Sequence, residues 1–304
     1  MRGAKLFIEI VILAGVMLAL GYCIELKYRS FKTPADLLFE KYEKVRMQEL
    51  PFTIIIGNSH TGEFHRYYPD TLSPVLNLSV GGQDLFREYT VLKKVISGSK
   101  GKIKIILLGL DYDMIGYNQV LSGQGYIDKQ YFKHVDTLYK NNFMDRVLSS
   151  SSFFRANRDI SFLFSGRQSE PDQKQAAFIP LVAQPGFRPI DCKSRAKEHT
   201  LYKFNKNLAK ENTDILRKII ELCASDKIRL VILTTPKSEC YRNYADANNT
   251  ALGRSVIRDI VSRYKVTYID LYDDTTIVKE DYTDYDHLND AGIKKVYTKI
   301  RNAI

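Results

Sequence analysis

Apolar positions fall into two regimes along the chain. Between 6 and 24 they are almost unbroken (LFIEIVILAGVMLALGYCI), whereas after about residue 50 they come in short runs separated by amphipathic stretches. About twenty apolar residues at 1.5 Å rise span a bilayer as a helix. The charged stretch that follows, to about residue 50, reads as a helical stalk. Beyond it, runs 52–56 (FTIII), 103–108 (IKIILL) and 229–233 (RLVIL) have the length and β-branched content of buried strands, and 75–78 and 266–269 read as two more. Between them the period changes. Leu85, Tyr89, Leu92 and Ile96 recur at spacings of four, three and four, predicting a helix over 84–97. Ile215, Leu216, Ile219, Ile220 and Cys223 form one stripe over 207–225. Further helices are predicted over 255–264 and 290–304, the last with Ile293, Val296, Tyr297 and Ile300 inward and Asn289 or Asp290 as its cap.

Alternating strands and helices predict an α/β fold, a parallel sheet with helices on both faces. Ligands in such sheets bind beyond the carboxyl ends of the strands. The alternation breaks at about 117–200, where Tyr, Phe, Ser and Gln abound. Two pieces there, near 130–149 and 153–164, read as helices. This insertion is either a cap over the site or a surface decoration. The organisation read from the sequence is thus an N-terminal segment over 1–27, a stalk over 28–50, and an α/β domain over 51–304 carrying the insertion.

The N-terminal segment is an uncleaved anchor or a signal peptide cut after Ala19-Leu20-Gly21. The apolar run continues past that site, which favours the anchor. Basic residues flank both ends (Arg2 and Lys5; Lys27, Arg29 and Lys32), so charge does not fix its orientation. Glu9 lies inside the run. Leu20-Gly21-Tyr22-Cys23 faintly resembles a lipoprotein cleavage box, but the bulky Tyr22 argues against lipidation.

Charge adds one constraint. The net charge of the 304 residues is +10. Arg2, Lys5 and Lys27 against Glu9 and Glu25 leave +1 in the N-terminal segment and +9 on the body. That excess suits a membrane surface, an acidic glycan or nucleic acid, or is simply a scattered basic surface. No Lys/Arg block interleaved with aromatics and no nucleic-acid motif accompanies it. No GxGxxG or GxxxxGK[ST] follows a strand, which argues against a nucleotide-binding domain. The four cysteines have no CxxC spacing and make no metal pattern. Cys223 reads as core. Cys192 and Cys240, both in loop-like sequence, are a disulfide if the domain is exported, or two free surface thiols.

The candidate chemistry sits at two ends of the domain. Ser59 follows the first strand in Gly57-Asn58-Ser59-His60-Thr61-Gly62, a position that can cap a helix or present a hydroxyl above a sheet. A serine nucleophile needs a base. Of His60, His65, His134, His199 and His287, the last stands out: Asp284 lies three residues upstream, a spacing that lets a carboxylate hold the imidazole from within one loop. His60 is expected to point away from its neighbour Ser59, and His65 to lie on the surface. Asp284, Asp286 and His287 could equally be a solvated polar loop before the last helix.

Together these blocks resemble the SGNH (GDSL-type) hydrolase superfamily. Gly57-Asn58-Ser59-His60 matches its first block, with Asn58 in place of the family Asp, and Asp284 with His287 matches its last. Asn77-Leu78-Ser79-Val80-Gly81-Gly82-Gln83 resembles the second block, which makes Gly82, or Gly81, an oxyanion donor. In the third block Asp111 stands where the family has Asn. An ionised carboxylate would repel an oxyanion, so Asp111 is protonated, turned away or used otherwise. The hole would then rest on the Ser59 and Gly82 N–H groups.

The resemblance covers the elements of about 52–111 and 207–304 and implies a three-layer sandwich and acyl chemistry on oxygen esters. In that scheme Ser59 attacks, His287 takes the proton, Asp284 orients it, and no cofactor or metal is needed. Water as acceptor gives an esterase; a sugar hydroxyl gives a transferase. Anchored members modify O-acetyl or similar esters of cell-envelope polysaccharides, some beside a multi-spanning membrane acyltransferase, with the catalytic domain on the extracytoplasmic side. The alternative is a degenerate member that binds glycan or scaffolds a complex. Thr234-Thr235-Pro236, Tyr241 and Arg242 are further candidates to line the site.

Overall fold

In the computed structural model, residues 2–62, 64, 74–124, 126–135, 143–156, 163–164 and 191–303 are described. The sheet consists of β1 (Phe52–Ile56), β2 (Val75–Asn77), β3 (Ile103–Gly109), β4 (Arg229–Thr234) and β5 (Thr267–Asp270), in the order β2-β1-β3-β4-β5 with every pairing parallel. All five expected strands therefore form. Their continuous apolar sequences follow from burial on both faces.

The two-residue period of a strand sends neighbours to opposite layers. Ile54, Ile56, Ile106, Leu108, Leu230 and Ile232 join the larger core, while Ile55, Leu107, Val231 and Leu233 join the smaller one. The helices are α1 (Arg2–Tyr28), α2 (Pro34–Met47), α3 (Leu85–Ser99), α4 (Tyr126–Tyr131), α5 (Phe143–Ser150), α6 (Ser152–Arg155), α7 (Cys192–Lys197), α8 (Ala209–Ser225), α9 (Glu239–Tyr244), α10 (Ala247–Tyr264) and α11 (Asp290–Ala303). The larger core is covered by α2, α3, α8 and α10, and the smaller by α11 through Ile293, Val296, Tyr297 and Ile300. The result is a three-layer α/β sandwich. Asn289 caps α11, its side chain accepting from Ala291 N (2.9 Å) and Gly292 N (3.1 Å).

One helix among the described residues is long and apolar enough to cross a membrane: Ala4–Tyr28, with mean hydropathy 2.4 and its apolar stretch unburied. Its last turns touch the insertion. Glu25 accepts from Ser151 Oγ and Ser152 N at 2.8 Å, and the buried Tyr28 ring meets Phe153 edge-on.

The segment expected to be a stalk is helical, but it does not stand free. Ala35, Leu38, Phe39 and Tyr42 of α2 are buried in the larger core, and Tyr42 donates to Val95 O (3.0 Å). Thr33 and Asp36 cap the helix reciprocally, with Pro34 in its first turn. Asp36 also meets His134 Nε2 at 2.8 Å, a carboxylate partner across 98 residues that spacing does not announce.

Of the two helices expected in the insertion, the described parts give α4, α5 and α6; residues 136–142, 157–162 and 165–190 lie outside the described residues. Cys192 and Cys240 form a disulfide that ties α7 to α9, and Cys223 is buried in the core as expected.

Candidate active site

The site is built on the carboxyl edge of the sheet. β1 ends in Gly57 at φ 156°, where a Cβ would stand 2.5 Å from Thr61 Oγ1 and 3.0 Å from Gly109 O, so only glycine fits. The chain then makes a 3-10 turn over Ser59–Thr61. Asn58 caps it, accepting from His60 N (2.9 Å). Asn77, at the end of β2, donates to Thr61 O (2.8 Å) and Gly62 O (2.9 Å) and accepts from Ser79 N. One amide side chain thus fastens the Ser59 turn to the Gly81-Gly82 loop. Gly82 takes a left-handed conformation (φ 66°) and its carbonyl accepts from Tyr117 Oη at 3.1 Å. Among the described residues the N–H groups of Ser59 and Gly82 meet no acceptor.

His287 arrives from the loop before α11. Asp284 accepts from the backbone N–H groups of Asp286 (3.0 Å) and His287 (2.8 Å), which folds the loop back on itself. This places Asp284 Oδ2 at 2.9 Å from His287 Nδ1, while His287 Nε2 stands 2.9 Å from Ser59 Oγ. The three residues therefore make one hydrogen-bonded chain across 228 positions of sequence.

Burial on its own would lower the His287 pKa. The charge of Asp286 and the hydrogen bonds that the ring donates to Asp284 and Asp286 outweigh it and raise the pKa to about 9. Asp284 is pushed up by burial, yet the His287 hydrogen bond and charge hold it below the usual carboxylate range.

Asp111 does not face the nucleophile. It is buried, and its carboxylate accepts from Thr235 N (3.0 Å), Thr235 Oγ1 (2.8 Å) and Lys237 Nζ (3.1 Å) while pressing on His60 Nδ1. Burial opposes its charge, but Lys237 and His60 hold it ionised, well below the ordinary range. Of the alternatives open to Asp111, it is turned away and used otherwise rather than placed in an oxyanion hole: a carboxylate paired with the buried Lys237 has no reason to turn toward developing negative charge.

His60 does point away from Ser59, into this interior: its Nε2 lies 3.0 Å from Asp286 Oδ2. Asp286 is likewise buried and takes Arg195 Nε on both oxygens (3.2 and 3.1 Å), so it is no solvated loop acid. Sequence reasoning missed this second chain, Lys237–Asp111–His60–Asp286–Arg195. The available signals were a histidine beside the nucleophile and two aspartates, not one, ahead of His287.

A cleft of about 250 Å³ opens beside Ser59, between the Gly81-Gly82-Gln83 loop and a wall carrying Arg195, His199 and Lys203. Both ends of the insertion reach it, through Tyr117 and through α7 with the turn that follows. Thr235, Tyr241 and Arg242 do not line it. Thr235 holds Asp111, Tyr241 is buried behind Lys237, and Arg242 donates to Lys237 O. His65 lies outside the described residues. His60, Asp286 and His287 bring possible metal-ligand atoms within 4.8 Å of one another, but all three are engaged in the hydrogen-bonded chains above.

Such an arrangement can shuttle a proton from a hydroxyl to an imidazole held by a carboxylate, next to free backbone N–H groups. No family model matches the chain, and no curated protein matches it. Among solved structures the chain is similar to a GDSL-like lipase from Bacteroides thetaiotaomicron, at 10% identity over 87% of this chain and 96% of that one, with a TM-score of 0.44. It is also similar to an acetyl xylan esterase (13% identity, 83% and 100% covered, TM-score 0.42). A lipase/acylhydrolase from Enterococcus faecalis gives 12% identity, 83% and 94% covered, and a TM-score of 0.41.

Proposed function

We propose that this protein is an SGNH-type serine acyl hydrolase or acyltransferase acting on ester groups of a cell-envelope polysaccharide. The observation that carries the reading is the chain Ser59 Oγ–His287 Nε2, His287 Nδ1–Asp284 Oδ2, each link 2.9 Å, at the mouth of a cleft on the carboxyl edge of a parallel sheet. Ser59 Oγ attacks the ester carbonyl carbon as neutral His287 takes its proton. Asp284 fixes the imidazole tautomer and stabilises the imidazolium. The oxyanion is met by the N–H groups of Ser59 and Gly82. Collapse breaks the bond to the alcohol oxygen, which receives the proton from His287 and leaves an acyl group on Ser59. Water activated by His287 releases a carboxylic acid; a sugar hydroxyl in its place gives a new ester.

The apolar helix Ala4–Tyr28 supports membrane anchoring in this reading, with the domain on the extracytoplasmic side, where the Cys192–Cys240 disulfide is at home. A multi-spanning membrane acyltransferase is the partner class that would supply acyl groups there. The +9 charge outside the first 27 residues suits an acidic glycan.

The test is a fluorophosphonate probe applied to the full chain in detergent. Labelling at Ser59, abolished in Ser59→Ala and His287→Ala, is expected. A folded protein that resists the probe would overturn the enzyme reading in favour of a glycan-binding scaffold.

A further inference from the structure

The cleft beside Ser59 holds polar groups that the proton-transfer chain does not use. Gln83 is 1% exposed and lines the cleft, yet neither Oε1 nor Nε2 of its amide has a hydrogen-bond partner among the described residues. Its backbone is fixed, with Gln83 N donating to Val80 O at 3.0 Å and Asp84 beginning α3 directly after it. A buried amide left with both ends open is unfavourable unless something else completes it.

In the wall of the same cleft, His199 Nδ1 is also without a hydrogen bond, at 3.6 Å from Asp286 Oδ2. Burial, with the charge of Arg195, keeps this ring neutral, so it offers one donor and one acceptor. Asp113, half-buried, is a third polar group lining the cleft. Burial and the neighbouring Asp111 charge push it up to about 6, above the usual carboxylate range.

The fixed cations of the wall are already spent within the chain: Arg195 on Asp286, and Lys203 on Glu198 at 2.5 Å. What remains open is a set that both donates and accepts. That matches hydroxyl groups, which do the same, and not a phosphate or carboxylate, which only accept.

We propose that Gln83, His199 and Asp113 form a hydroxyl-reading subsite for a single sugar or polyol unit, seated beside Ser59. The cleft, at about 250 Å³, has room for one ring. As a part of catalysis the subsite rests on the proposed role of Ser59; as a binding site it does not.

Two measurements on the full chain in detergent separate these. In the first, ester hydrolysis is compared for methyl 6-O-acetyl-glucopyranoside, which carries hydroxyls, and p-nitrophenyl acetate, which carries none. Gln83→Leu is expected to raise KM for the sugar ester about tenfold, as loss of a hydrogen bond to a buried group does, with kcat moving less. The preference for the sugar ester over the aryl ester then falls about tenfold. An unchanged ratio overturns the subsite, even where Ser59 is confirmed. In the second, methyl glucopyranoside binding to Ser59→Ala is followed by saturation-transfer NMR and is expected to vanish in Ser59→Ala with Gln83→Leu. Binding that persists in the double variant also overturns it. Loss of hydrolysis without loss of binding leaves the subsite standing and moves the doubt to the chemistry. If Gln83→Leu does not fold, Gln83→Met carries the same expectations.

Discussion

Two histidines lie beside the same serine, each clamped by aspartates, and their surroundings differ in which ring nitrogens are taken. His287 is partly exposed, bound by Asp284 on one nitrogen and free to reach Ser59 Oγ with the other. His60 is buried, and protein carboxylates occupy both of its nitrogens. A proton acceptor needs one nitrogen unclaimed by a permanent partner. His287 has that, and His60 has none. The His60 chain instead joins five segments: the serine turn, the end of β3, the loop after β4, the loop before α11 and, through Arg195, α7. Asp286 links the two histidines, since it also lies 3.4 Å from His287 Nδ1.

The widest separation between the two should come from deletion. His287→Ala is expected to lower kcat/KM for p-nitrophenyl acetate by about a thousandfold or more, with little change in Tm. His60→Phe should do the reverse in kind. Removing the ring between Asp111 and Asp286 leaves buried carboxylates short of a partner, which destabilises by about 3–5 kcal/mol in denaturant unfolding. Equal effects of both variants on Tm would erase the distinction.

A smaller effect concerns the link. His287 must be neutral to accept a proton, and its pKa is raised to about 9 from 6.5. Most molecules are then protonated at pH 7, so kcat/KM should climb with pH through a midpoint near pH 9 and level off above it. Asp286 is the strongest of the groups that raise it, so Asp286→Asn should move that limb toward neutral pH. A limb unmoved by the substitution would detach Asp286 from the chemistry. The smallest change is Tyr117→Phe, which removes the hydrogen bond to Gly82 O. It should cost a few-fold in kcat, equivalent to about 1 kcal/mol of support for the glycine loop.

What the sequence made legible follows from range. Strands showed as β-branched runs, and α3 and α8 as stripes, because those signals lie within one element. Asp284 and His287 showed because the loop that clamps them is local. His60–Asp111 and His60–Asp286 span 51 and 226 residues, so only the strand order brings them together. Asp111 was legible as a departure from the family pattern, but its partners Thr235 and Lys237 were not. The docking of α2 had a readable signal in Ala35, Leu38, Phe39 and Tyr42, at the spacing of one helix face, masked by the charges between them.

The central claim is that Ser59 carries the acyl group. It is tested most directly by quenching the full chain in acid during turnover of p-nitrophenyl acetate and mapping the adduct by peptide mass spectrometry. One acetyl group on the peptide containing Ser59, absent in Ser59→Ala, is the predicted result; hydrolysis that proceeds with Ser59 unmodified, or with Ser59 replaced, would contradict it.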